Sequence, residues 1–251
     1  MKLAKILLAL LLALAMVAAL AAPAFAEEVG EDECNPTFWQ KLWDRIVTFW
    51  LRILRFFGYT PFPPDPYVLY KPVIYLYPEQ PTEIGVTLQT HGAHLIESIP
   101  DYGDGWRVLA QPDGTLTDLA DGAQYPYLFW EAALDAPWPK LAEGFLVARD
   151  DLAGFLEEKL LYLGLNDAEA GEFIEFWLPR LAANAYNLIH FSGAYYDGRF
   201  PLEITPAPDS LLRVFMVARA AKASERVSPQ ELAPFERSGF AAVEWGGMII
   251  D

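Results

Sequence analysis

Lys71-Pro72-Val73-Ile74-Tyr75-Leu76-Tyr77-Pro78 (KPVIYLYP) is the stretch on which the reading of the fold turns. Val73, Tyr75 and Tyr77 alternate with Ile74 and Leu76, so a strand here carries apolar side chains on both faces. Such a strand is buried on both sides and must be covered from two directions. Downstream, Ile84, Val86 and Leu88 alternate with Gly85 and Thr87, and Trp106, Val108 and Ala110 alternate with Arg107 and Leu109. Asp104-Gly105, Asp113-Gly114 and Asp121-Gly122 punctuate this region every eight or nine residues. That is the rhythm of hairpins in an antiparallel meander. The aromatic run Tyr125 to Glu131 closes it, and residues 73–144 read as a β-rich region, a small antiparallel sandwich or meander.

Residues 145–251 read differently. Asp150 or Asp151 can cap a helix that carries Leu152, Phe155, Leu156, Leu160 and Leu161 inward and stops at Gly164. Asn166 or Asp167 caps a second helix with Ala170, Phe173, Ile174 and Trp177 inward, ended by Pro179. Strand patterns follow at Tyr186 to Ser192, Leu202 to Thr205 and Leu211 to Ala218, then a helical turn from Pro229 to Arg237 and a last strand from Phe240 to Trp245. The expected class is α+β, with two adjacent helices laid on a sheet.

Upstream of the opening stretch the chain changes character three times. Residues 59–72 hold five prolines in fourteen positions, the composition of a stiff extended spacer. Residues 36–58 place Trp39, Trp43, Ile46, Trp50, Ile53 and Phe57 at spacings of four and three, one stripe of a helix, with Lys41, Arg45, Arg52 and Arg55 on another face. Trp and Phe among headgroups, with Arg and Lys against anionic lipid, suit the membrane interface. The same spacing serves a helix that docks on its own protein or on a second copy. Its charges exclude a bilayer span. Residues 27–35 form an acidic leader containing Cys34, the single cysteine, so the chain has no internal disulfide. Residues 1–26 carry Lys2 and Lys5, an uncharged Leu/Ala run, and Pro23-Ala24-Phe25-Ala26, the pattern of a secretory signal cleaved after Ala26. The expected location is therefore extracytoplasmic, secreted or held at a membrane surface.

The formal charge is −16, and loss of the two signal lysines leaves 16 basic against 34 acidic residues, or −18. An excess of that size opposes nucleic-acid binding and favours a soluble, self-repelling surface.

The strings KPVIYLYP, Gly105-Trp106 with PDGTL, YLFWE (Tyr127 to Glu131), FIEFWLPRL (Phe173 to Leu181), PDSLLRVFM (Pro208 to Met216) and FERSGFAAVEWGG (Phe235 to Gly247) resemble those of an uncharacterised family of exported bacterial proteins. The resemblance spans Lys71 to Gly247 and implies export and a shared fold, with no reaction attached.

Few residues suggest chemistry. His91 and His94 share a turn with Gly92, His190 is remote, and no HExxH, CxxC or EF-hand loop occurs, so neither a metal site nor a cofactor is expected. Asp101, Asp104, Asp118 and Asp121 sit in turns where weak calcium binding competes with plain solvation. Nucleophile elbows and phosphate loops are missing from the sequence. What recurs is carboxylate beside tryptophan: Trp130-Glu131, Glu175-Phe176-Trp177 and Glu244-Trp245. A Glu packed on an indole is desolvated toward a general acid, and two such groups across a cleft, Glu131 and Glu244 with Glu175 in support, would serve glycosidic cleavage. Trp130 and Trp245 would then be sugar platforms. The plainer reading is that the indoles fill the core and the acids mark edges. Arg180 and Arg213 interrupt apolar patterns, as structural partners of these glutamates or as ligand-binding cations. Two functions remain open: a non-catalytic protein binding a membrane surface or cell-wall polymer, and a carbohydrate-active hydrolase of the envelope.

Overall fold

The computed structural model describes residues 67–250. The expected signal, the acidic leader with Cys34, the expected helix 36–58 with Trp39, Lys41, Trp43, Arg45, Trp50, Arg52 and Arg55, and the proline run as far as residue 66 lie outside them. Twelve strands are described: β1 (Val68–Tyr77), β2 (Thr82–Leu88), β3 (Ala93–Ile99), β4 (Trp106–Ala110), β5 (Leu116–Asp118), β6 (Gln124–Tyr125), β7 (Leu128–Leu134), β8 (Phe145–Ala148), β9 (Tyr186–Phe191), β10 (Leu202–Thr205), β11 (Ser210–Ala220) and β12 (Ala241–Ile249). Three α-helices accompany them: α1 (Leu152–Tyr162), α2 (Asp167–Leu181) and the short α3 (Ala194–Arg199). The class is α+β, strand-dominated, with two sheets.

The larger sheet has seven strands in the order β3-β7-β1-β12-β11-β9-β8, and the smaller has five in the order β10-β2-β4-β5-β6. β1 lies deep in the larger sheet, antiparallel to both β7 and β12. Its two apolar faces thereby find separate cores. Ile74 and Leu76 join Ile84, Val86, Trp106 and Val108 of the smaller sheet, with Trp130, Phe215 and Met248. Val73 and Tyr75 join Leu152, Leu156 and Leu160 of α1 and Phe173 and Trp177 of α2, with Val214, Met216 and Trp245.

The helices form where polar punctuation allows it. Asn166 closes a capping box with Glu169 at the start of α2, each side chain bonding the other's backbone N–H. In α1 the buried residues Leu152, Leu156 and Leu160 recur every fourth position, while Phe155 is half-buried and Leu161 exposed.

Several expectations need correction. The boundary at Gly144 runs through both sheets: β8, β9, β11 and β12 complete the larger sheet, while β10 from the second half joins β2. Local patterns carry no information on which distant strands pair. The proline spacer ends sooner than residue 72, since β1 begins at Val68. Pro179 does not end α2; Trp177 and Leu181 on either side of it are buried and hold the last turn in place. Pro229 to Arg237 is not helical. Its side chains bond remote groups instead: Gln230 pairs with the backbone of Phe191 at 2.9 and 2.6 Å, and Arg237 reaches Gly164 O and the buried Glu169. His94 belongs to strand β3 rather than to a turn. Finally β11 and β12 run parallel, so the larger sheet is mixed.

Candidate functional site

Arg213 and Glu244 are opposite each other on the parallel pair β11 and β12, on the face turned to the smaller sheet. Glu244 is 1% exposed. Its Oε2 accepts from Arg213 Nε at 2.7 Å and its Oε1 from the indole N–H of Trp130 at 3.1 Å. Arg213 Nη1 donates further to Asp197 at 3.1 Å and to the Phe200 carbonyl at 2.8 Å, and the guanidinium lies 4.5 Å from the Tyr196 ring centroid. Burial, the largest influence, would lower the basicity of Arg213, but Glu244, Tyr196 and Asp197 together more than offset it and the group stays charged. Burial, then the Glu244 charge, pushes the Tyr196 phenol far up and keeps it protonated. Arg213 also lines a cavity of about 460 Å³ with Asp197, Pro201, Leu202, Leu211 and Phe235. Glu244 is thus held by two donors and shut away from solvent, as the counter-charge of Arg213.

Glu131 does not join it. Leu128, Trp130 and Ala132 face the core between the sheets, so by alternation Phe129 and Glu131 face the helices. Glu131 and Glu244 therefore point from opposite faces of one sheet. Glu175 is exposed on α2. Trp130 and Trp245 are both fully buried and offer no face for a sugar ring to stack on. Arg180 is exposed, bonds the Phe176 carbonyl one turn back, and lies with its guanidinium 3.6 Å from the Phe176 ring centroid.

The stretches singled out in the sequence meet elsewhere, around Lys71. Its φ of 52° is the single positive value at a non-glycine among the described residues. This is a conformation that costs on the order of 1–3 kcal/mol and persists only where surroundings enforce it. The enforcement is visible. The register of β1 shifts between residues 70 and 73 against β12 and between 69 and 73 against β7, because Pro72 has no N–H to give either neighbour. A Cβ on Gly246 would come within 2.9 Å of Pro72 Cα, and one on Gly247 within 2.5 Å of the Met216 carbonyl, so both glycines of the EWGG stretch are sterically required. The Lys71 amide donates to Glu131 Oε1 at 3.1 Å.

The Lys71 ammonium is thus set among three rings, 5.1 Å from Trp245, 5.3 Å from Phe176 and 5.9 Å from Tyr127. Four separated segments supply this cluster. Beside it the Tyr75 hydroxyl donates to Glu172 at 3.0 Å; burial, then the Glu172 charge, keeps that phenol protonated far above its usual range. Desolvation also raises the Glu131 carboxyl, with Glu97 adding to the rise while the Lys71 amide and Arg180 oppose it. Sequence reading singled out Glu131 and Arg180 but missed Lys71, whose signal was a cation directly before proline at the head of a doubly buried strand.

Among the described residues no group of three or more His, Cys, Asp or Glu could hold a metal ion, and no helix is long and apolar enough to cross a membrane. Two of the turn acids are bonded within their own turn: Asp121 accepts from Ala123 N and Tyr125 Oη, and Asp118 from Asp121 N.

No protein-family description matches the chain, and no solved structure matches it. A protein of Butyrivibrio fibrisolvens described as an uncharacterised protein in the bglA 3' region is 47% identical over 64 residues, which are 24% of this chain and 64% of that protein. The chain thus spans less than two thirds of the relative it resembles, and the likeness is one of sequence between the two proteins.

Proposed function

We propose that the chain is exported and that its body, a two-sheet sandwich backed by helices, binds a component of the cell envelope without cleaving it. The observation that supports this reading is the separation of Glu131 from Glu244 by the sheet itself. Hydrolysis of a glycosidic bond needs two carboxyls on one cleft, roughly 5 to 10 Å apart. The recurrent stretches instead frame a cation among aromatic rings, an arrangement suited to holding a ligand. The aromatic, basic segment 36–58 would add a second attachment, to an anionic membrane surface.

The test uses the chain as the cell releases it. Recovered outside the cytoplasm with a mass matching cleavage after Ala26, it cosediments with envelope material and releases no soluble sugar. Its binding to anionic vesicles falls as salt rises. Sugar release that disappears in Glu131→Gln or Glu244→Gln would replace this reading with the hydrolase.

A further inference from the structure

Lys71 and Lys159 are the two described lysines set over aromatic rings, and the comparison between them is informative. Lys159 lies 5.5 Å from Phe145 and 6.0 Å from Phe155, and its ammonium also bonds Glu158 at 2.8 Å. The Lys71 ammonium has rings but no ion pair and no hydrogen bond among the described residues, although the protein carries 34 acids against 18 bases. Arg180, packed against the same Phe176 ring, likewise makes no ion pair there and donates to a backbone carbonyl. In so acidic a chain, two cations on one ring that both lack an ion pair among the described residues run against composition.

Glu131 commits Oε1 to the Lys71 backbone N–H rather than to the ammonium, and desolvation raises its pKa. The ring faces attract the ammonium but leave its N–H donors unfilled. The bulge, Pro72 and Gly246 fix the Lys71 backbone and so the direction in which its side chain leaves the strand. A strained residue whose ammonium has no acceptor among the described residues, with Arg180 on the same Phe176 ring, is preorganised for an acceptor from outside.

We propose that Lys71 and Arg180, set around Phe176, form a binding site for an oxyanion group, a carboxylate or a phosphate, carried by the ligand. The inference rests on the binding reading above and gives that ligand its chemical class. An ammonium and a guanidinium both bond such oxygens strongly, and more so where rings exclude water. The overall negative field disfavours dense polyanions, so an isolated oxyanion on an otherwise uncharged molecule fits best.

The experiment is a nuclear magnetic resonance titration of the full mature chain labelled with 13C at its lysines. Three rings near the Lys71 ammonium displace its ε-methylene resonance from the others, and Lys71→Met assigns it. Inorganic phosphate and acetate are added in separate arms, with chloride matching ionic strength. The expected result is a saturable shift of Lys71 with phosphate, with acetate or with both, and none with chloride. The arm that binds more tightly identifies the oxyanion. Lys159, ring-framed but partnered, stays unmoved. Arg180→Gln, a surface change, weakens the titration about tenfold, as expected for one charged hydrogen bond. Equal shifts at Lys71 and Lys159, no saturable shift in either arm, or an unchanged titration in Arg180→Gln overturns the proposal. Cosedimentation with envelope material persisting beside a silent Lys71 overturns this site alone. Loss of cosedimentation beside a responsive Lys71 overturns the broader reading alone.

Discussion

Replacing Arg213 by Met leaves a carboxylate stranded in the core. Glu244 is 1% exposed and would keep a single donor, the Trp130 indole at 3.1 Å. Removing one member of a buried pair costs about 3–5 kcal/mol. The Asp197 contact lies at a half-exposed group and adds little. For a body of this size each kcal/mol lowers the midpoint of thermal unfolding by about 2–4 °C, so the variant should melt roughly 6–20 °C below the parent. The assay is urea unfolding at pH 8, and Arg213→Met combined with Glu244→Leu should recover most of the loss. A single variant within about 1 kcal/mol of the parent at pH 8 would refute the assignment of a buried, mutually dependent pair.

Other consequences can be checked in the same assay. Gly247→Ala forces a methyl against the Met216 carbonyl at 2.5 Å and Trp177 at 2.8 Å, and should cost more than about 2 kcal/mol, whereas Gly154→Ala, with open space around it on α1, should stabilise by about 0.5–1 kcal/mol. Asn166→Ala removes the capping box of α2 and should cost about 1 kcal/mol. Leu156→Ala, at a fully buried site between α1 and the larger sheet, should cost about 2–5 kcal/mol. Tyr75 and Tyr77 both keep their protons well above the ordinary value of 10.0, chiefly through burial. The unfolded chain releases these protons first, so stability is intact below about pH 10 and falls above it, with ultraviolet titration of the two phenols following unfolding rather than preceding it.

Much of the fold was legible because its central elements announce themselves locally. β1 has apolar residues on both faces, and it does carry a core on each. In β11, Leu212, Val214, Met216 and Ala218 share one face as their spacing implies. Asn166 caps α2 from a position the sequence marks. The missed elements lack such signals. β3 pairs along one side with β7 and leaves Ile96 and Ile99 exposed, so its apolar residues follow no burial rule. β8 is four residues long, and α3 is a six-residue helix with two Tyr and one Gly. The candidate site was harder still. Proximity of carboxylate and tryptophan in sequence says nothing about faces, since Trp130 and Glu131 point to opposite sides of one strand. Lys71 acquires its surroundings from Tyr127, Phe176 and Trp245, brought together by pairing across the whole length of the body.

The hydrogen bonds between β1 and β12 set the order in which the molecule can be built. Tyr70 lies opposite Gly247, so the first described strand waits for the last before the middle of the larger sheet can close. Until then its two greasy faces have no permanent cover, and loop-closure entropy opposes every early approach. Folding should accordingly be slow and held back until β12 has been made. On the proposed export route, that delay would keep the chain loose enough to thread through a narrow channel.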